Sequence, residues 1–230
     1  DGTINLVGGA LLGKMVPLGI IPLGSANGMA TELLIPKDVA GSVQVLLEGK
    51  IIDMDVLEVN KEHLCFHLAD VGFNAKLIQQ FDEAPGRGKL TYLWGFLKTI
   101  WQKEGVRTLI QTPNRQLKQS IEMITFANAT KYGTGALINP QGKIDDGQFE
   151  ACIFKPYPRW EIPHLTWLFF TGKLDNSRHI RILSTAEIEV VLARAQPLQI
   201  DGEVVGEVKK VTVKVHPEKV PVLVPQAYGE

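Results

Sequence analysis

The sequence predicts an α+β protein in which an α/β segment precedes a larger, mainly antiparallel β region. Glycine-rich turns and helical patterns occupy the first 48 residues, whereas apolar and polar residues alternate at period two from Ile51 onward. The 230 residues are enough for one large domain or two small ones. We therefore predict a first lobe of residues 1–49 with a return of 214–230, and a second lobe of residues 50–213.

The first lobe is predicted to hold one short strand and two helices. The residues before Val16 are rich in glycine and are predicted to form loops. Val16 to Leu23 is an apolar run that suits a buried strand entering a loop. The turn Gly24 to Gly28 then leads into a helix over Met29 to Leu34, and a second helix covers Val39 to Leu47.

The second lobe is predicted to be an antiparallel sheet. Runs in which every other residue is apolar are typical of strands with one solvent-facing side. These runs cover residues 52–56, 64–68, 121–127, 149–154, 188–192 and 211–215.

Two aromatic segments interrupt this pattern. Leu90 to Trp101 carries apolar residues at three- and four-residue steps, which predicts a helix that either packs on the sheet or forms a lid or membrane-facing surface. The cluster of Trp160, Trp167, Phe169 and Phe170 leaves the same two alternatives open.

Composition excludes several classes of protein. With 24 Lys and Arg against 25 Asp and Glu, nothing draws the chain broadly to nucleic acid, and we expect no such partner. Cys65 and Cys152 lie far apart and outside any CxxC pair, which suits a reducing compartment and predicts a cytoplasmic protein. No apolar run is long enough to span a bilayer.

Two glycine-containing segments could bind a phosphate group. Asp1-Gly2-Thr3 joins a carboxylate and a hydroxyl to a glycine, although Asp-Gly is also a common turn. Pro22 to Asn27 leads from a strand end to a helix start, where N–H groups face an anion, and Ser25 and Asn27 add side-chain donors. Ser and Asn are equally favoured as plain helix caps, so both interpretations stay open.

Two acidic turns could carry metal or proton chemistry. Asn139 to Gly147 contains the pair Asp145-Asp146, which suits either a solvated hairpin turn or a loop for a divalent cation. Ile200-Asp201-Gly202-Glu203 could project two carboxylates to one side, as a base and a metal ligand, or could be a type I′ hairpin turn.

Taken in order, these segments resemble the diacylglycerol kinase catalytic-domain family, specifically its bacterial lipid kinases related to sphingosine and ceramide kinases. Asp1-Gly2-Thr3 is similar to the end of the family's GGDGT motif, and the second segment to its run of the type PlGTxNDfA. The matching segments, in the family's order, are residues 1–3, 18–30, 88–98, 128–150 and 199–203.

The resemblance implies a two-lobed enzyme with its active site between the lobes. An α/β nucleotide-binding lobe, related to those of NAD kinases and phosphofructokinases, would precede a β-sandwich lobe. ATP would be the phosphoryl donor, Mg²⁺ the required metal, and a lipid hydroxyl of diacylglycerol or sphingoid-base type the acceptor. Contact with a membrane surface is implied as well.

The resemblance also assigns residues. Asp1-Gly2-Thr3 would contact phosphates or their metal network, with Asp1 among the catalytic acids, and Gly24, Ser25 and Asn27 would line the nucleotide site.

In the second lobe, Asp146 and Asp145 would hold a structural Mg²⁺. Asp201 and Glu203 would be catalytic acids, one of which takes the proton of the acceptor hydroxyl.

Two departures from the family pattern carry expectations of their own. Ser25 replaces the family's Thr and keeps its hydroxyl, whereas Gly28 replaces an Asp and removes a carboxylate. The family has further strands ahead of GGDGT, so we expect an incomplete nucleotide lobe that a homodimer would complete. The alternatives are a non-catalytic lipid- or nucleotide-binding relative, and a kinase of a soluble polyol or nucleotide.

Overall fold

The computed structural model describes residues 2–24, 27–72, 75, 105–130, 142–171, 173 and 176–229, apart from the side chains of residues 166, 169 and 170. The helices in these ranges are α1 (Gly2–Leu11), α2 (Gly28–Glu32), α3 (Val39–Glu48) and α4 (Ile162–Thr171). The strands are β1 (Lys50–Met54), β2 (Leu57–Val59), β3 (His63–Cys65), β4 (Leu68–Gly72), β5 (Val106–Thr112), β6 (Arg115–Ile121), β7 (Met123–Ala127), β8 (Phe149–Phe154), β9 (Ile180–Thr185), β10 (Glu187–Ile200), β11 (Glu203–Val215) and β12 (Val220–Val224).

Most strands belong to one antiparallel sheet. Its order is β3-β2-β11-β10-β4-β7-β8-β9, and the hairpin of β5 and β6 joins it at β10. This large antiparallel lobe, preceded by a helix-rich segment, confirms the predicted α+β class.

The sheet folds over a single core because its longest strand, β10, changes partners along one edge. The first half of β10 pairs with β5 and its last three residues pair with β4, and the pairing of β10 with β11 is irregular between Val191 and Gln196. The buried cluster therefore collects side chains from both halves of the sheet. Its members include Leu57, Val71, Ile110, Phe126, Phe149, Val190, Leu198 and Val213.

The outer side of this sheet is covered at one place by α4. Leu165 and Leu168 of that helix join a second buried cluster with Leu68, Cys152 and Ile180. As a result, β4 and β8 are buried along their whole length. The prediction of one solvent-facing side is wrong for the run 149–154, which forms β8, because a helix lies on the face that was expected to be wet.

A second, two-stranded sheet is formed by β1 and β12, which pair antiparallel from Lys50 to Met54. The predicted strand over Val16 to Leu23 reduces to one parallel bridge between Leu18 and Val222. Pro17 and Pro22 in this run have no N–H to donate to a ladder. The boundary near Gly49 and the return of 214–230 stay predictions.

Two of the three N-terminal helices were predicted. The helix α3 confirms the prediction over Val39 to Leu47, and Asp38 caps it by accepting the N–H of Gly41 at 2.8 Å. The helix α2 ends at Glu32, two residues early, and Leu34 has a positive φ of 56°.

The loop predicted for the first residues is wrong, because Gly2 to Leu11 forms α1. Its glycines allow close packing: a Cβ on Gly8 would lie 2.6 Å from the ring of Phe66.

Two predicted strands are interrupted. The run 64–68 splits into β3 and β4 at Phe66 and His67, and the run 121–127 splits at Glu122. The stripe from Leu90 to Trp101 lies outside the described residues. No helix among the described residues is long and apolar enough to cross a membrane.

The packing of α1 on Phe66 predicts opposite effects for two adjacent glycines. Gly8→Ala should lower the free energy of unfolding by about 1–3 kcal/mol, because the methyl group overpacks against a fully buried ring. Gly9→Ala is the matched control, since its methyl group would meet Leu64 at 3.4 Å. That substitution should gain up to about 1 kcal/mol of helix propensity. Urea unfolding of both variants measures the difference, and equal effects would contradict the packing.

Candidate functional site

The turn that joins β10 to β11 is the centre of the candidate site. Asp201 and Gly202 both have positive φ, 50° and 96°, as the central residues of a type I′ turn do. The hairpin-turn interpretation is thus confirmed. The same turn nevertheless carries both of the carboxylates that were expected to do chemistry.

The carboxylate of Asp201 accepts hydrogen bonds from two parts of the chain. Its Oδ2 accepts the side-chain amide of Asn5 at 2.8 Å, from α1, and the N–H of Phe66 at 2.9 Å. Its Oδ1 accepts the N–H groups of His67 and Leu68 at 2.9 and 3.2 Å. The interruption between β3 and β4 exists because these N–H groups turn to Asp201.

The thiol of Cys65 completes this set. Its Sγ lies 3.4 Å from Oδ1 of Asp201. Burial and the neighbouring carboxylate raise the pKa of Cys65 well above its usual value, so the thiol keeps its proton and donates. Five donors therefore converge on the two oxygens of Asp201, which leaves them little room for a further hydrogen bond.

Buried polar side chains inside the sheet hold the turn in place. The side chain of Gln199 accepts the N–H of Gly202 at 2.6 Å and donates to the carboxylate of Asp70 at 2.7 Å. Thr125 donates to the other oxygen of Asp70. Gln199 and Asp70 are both buried, so the position of the turn depends on groups inside the sheet.

Asn128 holds the opposite side of the interrupted segment. Its side-chain amide donates to the carbonyl oxygens of Asp55 and Phe66 at 2.7 and 3.0 Å, and its N–H donates to His67 at 3.0 Å. Phe66 and His67 are thus held between Asp201 on one side and Asn128 on the other.

Glu203, the second predicted acid, faces the start of α1. Its Oε1 lies 3.4 Å from the place where a Cβ of Gly2 would be, and the residue is exposed. The exposed N–H groups at the first turn of a ten-residue helix favour negative charge. Asp1, the third predicted acid, lies outside the described residues.

A cleft of about 450 Å³ extends from α1 to the Gly24–Asn27 bend. Thr3, Ile4 and Val7 line it from α1, and Gly24 and Asn27 line it from the bend. The volume is within the range of small-ligand sites, and most of the remaining lining is apolar.

Asn27 shapes the bend from within. Its Oδ1 accepts the N–H of Gly24 at 2.9 Å and its amide donates to the carbonyl of Gly24 at 2.6 Å. The backbone of Asn27 is left-handed, with φ of 52°, at the start of α2. Its side chain therefore closes the bend, and Ser25 lies outside the described residues.

The Asp145-Asp146 loop is attached to the residues that follow β1 and precede β12. The ammonium of Lys219 contacts the carbonyl of Asp145 at 3.0 Å and Oδ1 of Asp55 at 2.9 Å. The other carboxylate oxygen of Asp55 accepts the N–H of Gly147 at 2.6 Å. Within the described ranges, no three acidic, His or Cys side chains are grouped as a metal site.

The structure thus brings some predicted residues together. Gly2 and Glu203 meet at the start of α1, and Thr3 shares a cleft with Gly24 and Asn27. Sequence reasoning missed Asn5, Gln199 and Asn128 as site residues. A polar residue one helical turn after Asp1 was the available signal for Asn5, and the other two lie inside the matched segments.

The comparisons with known proteins match both lobes. The family described as the YegS C-terminal NAD kinase beta sandwich-like domain matches residues 68–224, more than half of the chain. The diacylglycerol kinase catalytic domain matches residues 1–59.

Individual relatives agree. A probable lipid kinase, YegS-like, from Cronobacter sakazakii is 29% identical over 67% of this chain and 54% of its own length. One from Yersinia pestis is 29% identical over 88% of this chain and 69% of its own length. A diacylglycerol kinase structure from Bacillus anthracis superposes with a TM-score of 0.69 at 13% identity, over 92% of this chain and 68% of that one. The chain thus spans about half the length of the first of these relatives, and the last likeness shows the fold.

The Lys219–Asp55 ion pair predicts an asymmetric mutational effect. Lys219→Met leaves a fully buried carboxylate without its cation and should cost about 3 kcal/mol of unfolding free energy. Asp55→Asn should cost less, because the side chain of Lys219 is 37% exposed and can turn to water. The double variant should recover part of the loss in a double-mutant cycle of denaturant unfolding. Equal costs for the two single variants would contradict the ion pair.

Proposed function

Because the chain belongs to the diacylglycerol kinase catalytic-domain family, in its YegS-like branch, we propose that it takes part in transfer of the γ-phosphoryl group of ATP to a lipid hydroxyl. The acceptor would be of diacylglycerol or sphingoid-base type. The observation that carries the proposal is the contact of the Asp201–Glu203 turn with the first turn of α1, which itself lines the cleft of the Gly24–Asn27 bend.

In this proposal the cleft receives ATP. The N–H groups of Gly2 and Thr3 at the start of α1 would face its phosphates, where the helix favours negative charge. Gly24 and Asn27, with Ser25 between them, would border the nucleotide, and the apolar lining would receive its base. Phosphoryl transfer needs mainly positioning and charge neutralisation, which such a cleft supplies.

We assign the two carboxylates of the turn different parts. Asp201 has its oxygens occupied by five donors, and we propose that it positions the turn. Glu203 is exposed beside Gly2, and we propose that it accepts the proton of the acceptor hydroxyl. Asp1 stays a candidate for either part by its place in the motif.

The Asp145-Asp146 loop suits Mg²⁺ by the nature of its donors. Both residues are exposed, and their carboxylates are hard oxygen ligands. Mg²⁺ in proteins is commonly held by one or two carboxylates together with water or phosphate, so two acids are sufficient. When bound, the ion would add positive charge to this loop and order it. Asp146 already accepts the N–H of Gln148 at 3.0 Å, which orients its side chain.

Membrane contact, location and oligomeric state are part of the same proposal. A lipid acceptor implies contact with a membrane surface, and we propose that the protein is cytoplasmic and forms a homodimer.

One observation favours a non-catalytic binding relative instead: Gly28, where the family pattern has an acid, is buried at the start of α2.

Phosphoryl transfer to vesicle-bound diacylglycerol or sphingosine tests the proposal. Glu203→Gln should lower kcat by about 100-fold or more, the usual contribution of a general base, with an unchanged Tm because the side chain is exposed. Asp201→Asn should lower the Tm as well, because it replaces a charged acceptor of several hydrogen bonds.

Glu207→Gln, an exposed acid on the same strand β11, is the matched control and should keep full activity. Absence of labelled lipid with the unsubstituted protein would reject the kinase and leave the binding relative. An unchanged kcat in Glu203→Gln would remove that residue from proton transfer.

The Mg²⁺ assignment has a test that does not depend on activity. Mg²⁺ at a hundredfold excess over its Kd should stabilise the protein by about 2.7 kcal/mol, seen as a rise in Tm. The variant with Asp145→Asn and Asp146→Asn should lose this rise and keep its Tm in EDTA. Asp53→Asn, an exposed acid on β1, is the control and should retain the rise. A rise that persists in the double variant would place the ion elsewhere.

A further inference from the structure

The surface formed by the 3₁₀ turn Arg159–Glu161, the outer side of α4, Lys173 and Arg178 combines aromatic and basic side chains. We call it the Trp160–Trp167 face. Trp160 is 79% exposed and Trp167 is 54% exposed, which is unusual for the largest apolar side chain.

The exposure of these tryptophans follows from how α4 is anchored. Leu165 and Leu168 point into the sheet and are buried in the cluster that contains Leu68 and Ile180. Trp167 lies on the opposite side of the helix, because two residues correspond to about half a turn. The helix is thus held firmly on its inner side, and its outer side has no partner among the described residues.

Basic side chains are part of the same face. It contains Arg159, Lys173 and Arg178, with Glu161 as its acid. The carboxylate of Glu161 is already paired, with Arg178 at 2.8 Å and with His164 at 3.3 Å. The ammonium of Lys173 lies 5.7 Å from the centre of the Trp167 ring. The face therefore presents a surplus of positive charge beside its apolar rings.

We propose that the Trp160–Trp167 face docks on a lipid bilayer that contains anionic lipids. Tryptophan rings are favoured at the headgroup level of a membrane, and Lys and Arg side chains bind anionic headgroups there. A helix that is anchored on one side, aromatic on the other and flanked by basic side chains has the pattern of a helix that lies in this interface. Charge complementarity to anionic lipid selects a membrane over a neutral apolar partner.

The position of the face connects it to the candidate site and rests in that respect on the proposed function. Leu68 contributes its side chain to the cluster that anchors α4 and its N–H to the carboxylate of Asp201. The docking face and the candidate catalytic turn are therefore connected through a single strand, β4.

Vesicle co-sedimentation tests the docking directly. Vesicles of phosphatidylglycerol and phosphatidylcholine should bind the unsubstituted protein, and vesicles of phosphatidylcholine alone should bind it weakly. The variant with Trp160→Ala and Trp167→Ala should lose at least tenfold in partition coefficient. Lys173→Gln should lose about fivefold, the contribution of one basic side chain at an anionic surface.

The controls match these variants in exposure and chemistry. Leu47→Ala removes an apolar side chain that is 80% exposed on α3, and Lys37→Gln removes a basic one from the first lobe. Both should bind like the unsubstituted protein. The variant with Trp160→Phe and Trp167→Phe keeps aromatic bulk and should bind between the extremes, which separates lost docking from lost folding.

Three results would overturn the proposal. Unchanged vesicle binding in both tryptophan variants would show that this face does not contact the membrane. If Lys173→Gln weakened binding to phosphatidylcholine vesicles as much as to vesicles with phosphatidylglycerol, the positive charge would have no role in docking. A change in oligomeric state in the double Ala variant, measured by sedimentation velocity, would show that a second copy of the chain covers the face.

The same experiment separates docking from the proposed function. Vesicle binding that depends on the tryptophans, without phosphoryl transfer by the unsubstituted protein, would support docking and reject the kinase. If the variant with Trp160→Ala and Trp167→Ala lost vesicle binding but still transferred phosphate to a monomeric short-chain acceptor, both the docking and the kinase would be supported.

Discussion

The carboxylate of Asp201 is the interaction on which the rest of the site depends. It accepts hydrogen bonds from α1, through Asn5, and from the segment between β3 and β4, through three consecutive N–H groups. The helix is far from both segments in the chain, whereas the hairpin also pairs with β4 through residues 198–200 of β10. A charged acceptor among several converging donors is stronger than a neutral one, and no other side chain of this size could replace it. This one group thus ties the helix α1 to the hairpin and to the segment between β3 and β4.

The same residue also meets the demands of the turn. A type I′ turn needs positive φ at both central residues, and Asp tolerates that backbone better than most non-glycine residues. Gly202 takes the second position and gives its N–H to Gln199. Asp201 therefore combines a local role in the hairpin with a long-range role in the site. An Asp-Gly pair can be a common turn and a functional segment at once.

Local pattern was sufficient for elements whose causes are local. The helix α3 lies between the capping Asp38 and Gly49, and the strand β8 coincides with the predicted run 149–154. The interruption at Phe66 and His67 could not be found in this way, because it is caused by a carboxylate more than 130 residues later. The same holds for α1, whose adjacent glycines resemble a loop in sequence and serve instead to bring a helix against Phe66.

The two acids of the turn differ because their surroundings differ, which the sequence alone does not show. Asp201 points inward to converging donors, whereas Glu203 begins β11 and is exposed at the start of α1. Paired carboxylates in unlike environments can take unlike parts in one reaction. In our proposal Asp201 holds the turn in position, and Glu203 is left with free oxygens where a phosphate and a hydroxyl would meet. The order of the motifs identifies both residues as acids. Their proposed roles differ because the oxygens of Asp201 accept several hydrogen bonds, whereas Glu203 is exposed.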